Sequence, residues 1–203
     1  MKMDFNVSEG TRLPVMVTMI GVDPGLSGAF GVLNKMDNSI MFGGLYDMPV
    51  YDGRVDAKAV AKLLSDIELN ASKLFSVCLR KQGADYIDTS SFKTTLIKER
   101  QIAMPGVNSQ TGVRDRQPSP ASMGNFFHGG GIIEGVAAAR GIEYREISAA
   151  AWKTSIGCPA NKNAARAMAC RLVPEAATEL KHVKDHGRAE ALLLAAYGLG
   201  YRG

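Results

Sequence analysis

The chain has 203 residues, 46% of them hydrophobic and 22% charged, enough for one α/β domain with a sizeable core. Lys and Arg outnumber Asp and Glu by 24 to 20, a formal charge of +4, which permits a nucleic-acid partner without demanding one. Three distant cysteines (Cys78, Cys158, Cys170) with no Cys-x-x-Cys speak against a disulfide framework or zinc site and fit a reducing, cytoplasmic setting, and no run of about 18 apolar residues predicts a membrane span.

Residues 1–14 are polar, lack the apolar centre of a signal peptide, and read as a flexible leader to a single domain over 15–203. Val15 to Val22 is a nearly continuous apolar run, too short for a helix, and predicts a buried central strand. Asp23-Pro24-Gly25-Leu26-Ser27-Gly28 is a turn. Ala29 to Leu33 and Ser39 to Leu45 predict two further strands of an antiparallel meander. Asp56 to Leu69 has Val60, Leu63, Leu64 and Ile67 at helical spacing. Residues 70–91 carry no clear pattern, and Phe92 to Glu99 predicts a strand centred on Leu96 and Ile97. Residues 105–122, rich in Gly, Pro, Ser and Arg, predict a long loop, of the sort that is often functional. Phe126 to Arg140 predicts a helix ended by Gly141, and Ile142 to Ile147 a short strand. Helices follow after Ser148, over 161–172 and over about 185–199. Three early strands and then alternating helices and strands predict an α/β domain with a mixed sheet.

Chemistry concentrates at three places. Asp23 ends a buried strand, where a carboxylate is costly unless something pairs with it. Glu99 ends the mid-chain strand, inside Lys98-Glu99-Arg100, a cluster that solvent alone would also explain. In the last helical segment His186 and Glu190 are four apart and share a face, with Asp185 just before them, where it could simply cap the helix. Acidic groups from a first strand, a mid-chain strand and a C-terminal helix can converge at one sheet edge, and hard oxygen ligands of that kind suit Mg²⁺ or Mn²⁺. Two such ions would activate water and stabilise the leaving oxygen in phosphodiester cleavage.

Five segments taken in order resemble the RuvC-type Holliday-junction resolvases. They are IGVDPGLSGAFGVL (20–33), IKERQIAMPG (97–106), GGGIIEGVAAARGI (129–142), ISAAAWKTSIG (147–157) and DHGRAEALLLAAYG (185–198). The resemblance implies a ribonuclease-H-like fold, a mixed five-stranded sheet flanked by helices. It also implies a homodimer, Mg²⁺ dependence with two ions per site and Mn²⁺ as a substitute, and four-way DNA junctions as substrate. By position Asp23, Glu99 and Glu190 match the family's metal-binding carboxylates. The family's last helix carries another acid three residues before the final one, where this chain has Gly187. Asp185 or His186 must then substitute. On a helix His186 lies about 40° from Glu190 and Asp185 about 140°. A helix beginning at His186 would let Asp185 turn back, so Asp185 is expected as the fourth metal ligand, with His186 as a catalytic neighbour.

Lys98, Arg100, Arg114, Arg116, Lys153, Lys162, Lys184 and Arg188 lie in or beside these motifs and are candidates for holding the DNA backbone. Phe126 could stack on an unpaired base. Helix 129–140, with its small residues, is the expected dimer interface. The sequence also admits a nuclease for flaps or other branched DNA on the same fold, a catalytically idle junction-binding protein, and, less well, an actin-like or sugar-kinase-type ATPase, which would need a second domain.

Overall fold

The computed structural model describes residues 14–82, 91–102 and 119–203. The predicted leader (all but residue 14) and most of the 105–122 loop, with Arg114 and Arg116, lie outside the described residues. Strand β1 (Met16–Asp23) is central. It pairs antiparallel with β2 (Ala29–Met36), which pairs antiparallel with β3 (Ser39–Asp47). Then β4 (Val50–Tyr51) and β5 (Arg54–Val55) form a separate hairpin. Its turn residues Asp52 and Gly53 both have positive φ, the type I′ geometry that Asp-Gly favours. The main sheet is completed by β6 (Phe92–Glu99), parallel to β1, and β7 (Glu143–Ile147), parallel to β6. The order β3-β2-β1-β6-β7 is the expected mixed five-stranded sheet flanked by helices.

Helix α1 (Ala57–Lys81) has 25 residues and runs well past the predicted end at Leu69. Asp56 caps it, accepting from the amides of Lys58 and Ala59 at 2.9 and 3.1 Å. Ala71, Phe75 and Leu79 continue the buried stripe begun by Val60, Leu64 and Ile67. Helix α2 (Pro120–Ala139) starts six residues before the predicted Phe126, with Ser119 as cap and Pro120 in the first turn. After β7 come α3 (Ala149–Ser155), α4 (Lys162–Leu172), two 3₁₀ turns (Pro174–Glu179 and Val183–Asp185) and α5 (His186–Gly198).

The alternation of the strands sorts these helices into two layers. Ile20, Val22, Phe30, Val32 and Leu96 pack on one face against Val60, Leu64 and Ile67 of α1 and Ile133 and Ala137 of α2. Met19, Leu33 and Ile97 pack on the other, against α5, with α3 and α4 in the same cluster. Cross-strand partners Gly21 and Gly31 face α5. A Cβ on Gly21 would lie 2.5 Å from the Ala195 nitrogen, and one on Gly31 2.5 Å from the Leu192 nitrogen. These two glycines let the helix backbone rest on the sheet, which draws the first turn of α5 toward the end of β1.

Candidate active site

Asp23, Gly21 and Met19 share the α5 face of β1, and Glu99 and Ile97 share that face of β6. The β1–β6 register runs to Val22 opposite Lys98, so Asp23 and Glu99 both stand at the carboxyl edge of the sheet. Glu190 reaches the same edge from α5. Asp23 senses the other two acids. Burial, with a smaller push from the charges of Glu190 and Glu99, raises the Asp23 carboxyl to about 6, against the Gly25 amide, 3.4 Å from Oδ1, and His186, which lower it.

Two consecutive residues of α3 hold the other two acids. The Trp152 indole Nε1–H donates to Glu99 Oε2 at 2.9 Å, and Lys153 Nζ donates to Glu190 Oε2 at 3.0 Å. Burial opposes the charge on Lys153, but Glu190 more than offsets it and the ammonium is held above its usual range. Lys153 Nζ also stands 5.2 Å from the Trp152 ring centre. As the side chains stand, no three His, Cys, Asp or Glu groups among the described residues gather closely enough to hold an ion between them.

The structure turns Asp185 away from this group. Its Oδ2 accepts the His182 amide at 2.7 Å, and its charge is felt by Arg188. Its expected place as fourth ligand is thus not met by its contacts, although α5 does begin at His186. His186, unlike Asp185, is among the groups whose charge acts on Asp23, with the smallest effect of those that do. Its Nε2 lies 3.2 Å from Lys162 Nζ and its Nδ1 3.3 Å from the Val183 carbonyl. The place of the missing acid is also explained. A Cβ at Gly187 would lie 2.8 Å from the Ser27 carbonyl oxygen and 3.2 Å from Asp23 Oδ2. The α5 backbone rests against the β1–β2 turn there, leaving no room for a longer side chain.

The candidate DNA contacts separate. Lys98 points to the α2 face, is 3% exposed, and pairs with Glu146 at 2.6 Å, so it is no surface contact. Arg188 forks onto Asp47 with bonds of 2.6 and 2.7 Å. Lys162 and Lys153 lie at the acidic edge through His186 and Glu190. Lys184 is exposed and close enough to Asp47 to lower its carboxyl, after the larger effect of Arg188. Arg100 is exposed beside Glu146. Phe126 and Phe127 form an exposed edge-to-face pair, centres 5.6 Å apart, and Phe126 lines a cavity of about 510 Å³ with Pro24, Leu26, Ser27 and Asn125, next to the Asp23 turn. The bond from Trp152 to Glu99 spans 53 residues and leaves no local signal in the sequence.

No family model matches the chain. Over 51 residues it is 47% identical to the chloroplastic Holliday junction resolvase MOC1 of Chlamydomonas reinhardtii, a stretch of 24% of this chain and 6% of that protein. This stretch bears out the resemblance to Holliday-junction resolvases carried by the motifs. Two solved structures of RuvC from Thermus thermophilus are similar at 13% identity. One covers 91% of this chain and 98% of that one with a TM-score of 0.39. The other, in complex with a Holliday junction substrate, covers 93% and 98% with a TM-score of 0.40. No helix among the described residues is long and apolar enough to cross a membrane.

Proposed function

We propose that the chain is a divalent-metal-dependent endonuclease that nicks four-way DNA junctions. The observation that carries this reading is the convergence of Asp23, Glu99 and Glu190 at one sheet edge, with Asp23 held partly protonated by burial and by the other two acids. A buried carboxylate under like-charge pressure is short of positive charge, and the donors around it are hard oxygens. Both features fit Mg²⁺ or Mn²⁺.

Asp23, Glu99 and Glu190 would hold the metal, with His186 as a ligand or a proton-transfer group beside it. A divalent ion in such a site activates water and offsets the charge gathering on a phosphate, and the family resemblance extends this to two ions. The protein's own residues do the rest. Lys153 pairs with Glu190 and would offer its ammonium to a phosphate oxygen beside that carboxylate. Lys162 can hold the DNA backbone beside His186. The exposed Phe126–Phe127 pair offers a stacking platform for a base unpaired at the junction centre.

Two nicks across a junction need two sites, so the working form is a homodimer with α2 as the interface. The setting is the cytoplasm. Incubation with labelled four-way junction and with linear duplex, with and without Mg²⁺, tests the activity. Metal-dependent cutting confined to the junction supports it. Equal cutting of other branched DNA shifts the reading to a general branched-DNA nuclease. Tight junction binding with no cutting in Mg²⁺ or Mn²⁺ leaves an idle binding protein. Light scattering at micromolar concentration should give twice the chain mass, and a monomer that still cleaves would refute the dimer.

A further inference from the structure

Trp152 is fully buried, in the apolar cluster with Ile97, Ile156, Leu193 and Leu194. A buried indole nearly always finds a partner for its N–H, and a backbone carbonyl would serve. Here the partner is a carboxylate from another element, Glu99 Oε2 at 2.9 Å. The bond is charge-assisted, and its donor cannot move without repacking the core. It also fixes one oxygen of Glu99 and leaves Oε1 for other partners.

The support behind the ring is stiff. Ser148 Oγ caps α3 by accepting the Ala151 amide at 3.3 Å, and the Gly203 amide bonds the Ser155 carbonyl at 3.2 Å. The next residue, Lys153, holds Glu190. One short helix therefore sets two of the three acids, which come from a strand and from another helix.

We infer that Trp152 is a positioning residue, whose indole N–H fixes the Glu99 carboxylate beside Asp23 for metal binding. The inference rests on the proposed nuclease site. Outer partners of metal ligands typically account for about 10- to 100-fold in metal affinity or activity.

Trp152 is the chain's only tryptophan, so it can be replaced or observed cleanly. In the full chain, β-(3-benzothienyl)alanine at position 152 keeps the ring shape and puts sulfur where the N–H was. Mn²⁺ affinity by calorimetry should fall about tenfold, the low end for such partners, and kcat on a four-way junction by a similar factor. KM for the junction should stay within twofold. Trp152→Phe should lower Mn²⁺ affinity at least as much. In the wild type, the single indole ¹H–¹⁵N resonance should shift clearly in Glu99→Gln and far less in Asp23→Asn. Wild-type Mn²⁺ affinity in the isosteric variant, or an indole resonance that ignores Glu99→Gln, overturns the inference. If the isosteric variant fails to fold, the resonance test in otherwise wild-type protein still decides. If the wild type binds no Mn²⁺ while the resonance still follows Glu99, the nuclease reading falls and the contact is structural only.

Discussion

Lys98 and Glu99 are neighbours on β6, and the two faces of the sheet treat their charges in opposite ways. Lys98 enters the α2 side and meets a finished circuit. Its ammonium pairs with Glu146 at 2.6 Å, and the Tyr144 hydroxyl donates to the same carboxylate at 2.9 Å. Burial would raise the Glu146 carboxyl, but the bonds from Lys98 and Tyr144 bring it below its usual range. Lys98 also donates to Gln101 Oε1 at 3.3 Å, and Gln101 Nε2 bonds the Phe126 carbonyl at 2.6 Å, tying β6 to α2. On the α5 side three acids share one lysine and one indole, and the Asp23 carboxyl stays near 6. Buried charge on the first face is balanced and serves the fold. Charge on the second is left unbalanced, the kind of perturbation that clusters at functional sites.

The sharpest break removes the unbalanced charge. Asp23→Asn at saturating Mg²⁺ should lower junction cleavage at least about a thousandfold, some 4 kcal/mol of barrier. Gel-shift affinity for the junction should hold or improve, since a negative charge facing the DNA backbone has gone. Full activity in this variant would leave the acidic edge with no role in cleavage.

The balanced face should respond in stability. Lys98→Met removes one partner of a buried pair and should cost about 3 kcal/mol in urea denaturation, at the low end for such pairs because Glu146 keeps some solvent contact. Cleavage per folded molecule should fall by less than about threefold, far below the barrier cost of losing a site acid. Lys153→Met gives the reverse pattern. Its pair with Glu190 is partly exposed and should contribute about 1 kcal/mol or less to stability, while cleavage drops more than in Lys98→Met.

The unbalanced face should also show in metal-free protein. Asp23 rises from 3.8 to about 6 on folding, so between those pH values the folded state binds more protons than the unfolded one. Stability therefore falls as pH climbs through that window and is level above it, by up to about 3 kcal/mol for this one group. In EDTA, the stability gap between Asp23→Asn and wild type should widen from pH 4 to pH 6 in favour of the variant. A gap independent of pH would mean that Asp23 ionises normally.

Most of the sheet was legible because buried strands write themselves as apolar runs, and both β1 and β6 end where the sequence predicted a carboxylate at an edge. The second half of α1 was not, because Asn70, Ser72, Ser76 and Cys78 interrupt the pattern with weak helix formers while Ala71, Phe75 and Leu79 keep the stripe. The hairpin at Asp52-Gly53 and the Ser119-Pro120 start of α2 both had local signals. Within the site, Asp23, Glu99 and Glu190 were readable as types at strand and helix ends. The holds of Trp152 and Lys153 were not, because those contacts span 53 and 37 residues and depend on how α3 packs.

The smallest expected effect separates the two residues that compete for the place of Gly187. Helix geometry favoured His186 and the preference of Mg²⁺ for oxygen favoured Asp185, provided α5 began at His186, and it does. Asp185 nonetheless turns back to the His182 amide at 2.7 Å, closing the 3₁₀ turn before α5, while His186 is the neighbour whose charge reaches Asp23. The α5 backbone at Gly187 rests on the Ser27 carbonyl, which fixes His186 one residue before that contact. His186→Ala should therefore lower cleavage about tenfold, or 1.4 kcal/mol of barrier. Asp185→Asn should change the rate less than about threefold, and should lower stability by about 1 kcal/mol through a weakened cap. Single-turnover cleavage of a labelled junction in Mg²⁺, beside urea denaturation of each variant, reads both effects. If Asp185→Asn abolishes cleavage at unchanged stability while His186→Ala cuts like wild type, Asp185 must leave its cap in the working enzyme and take the fourth ligand position.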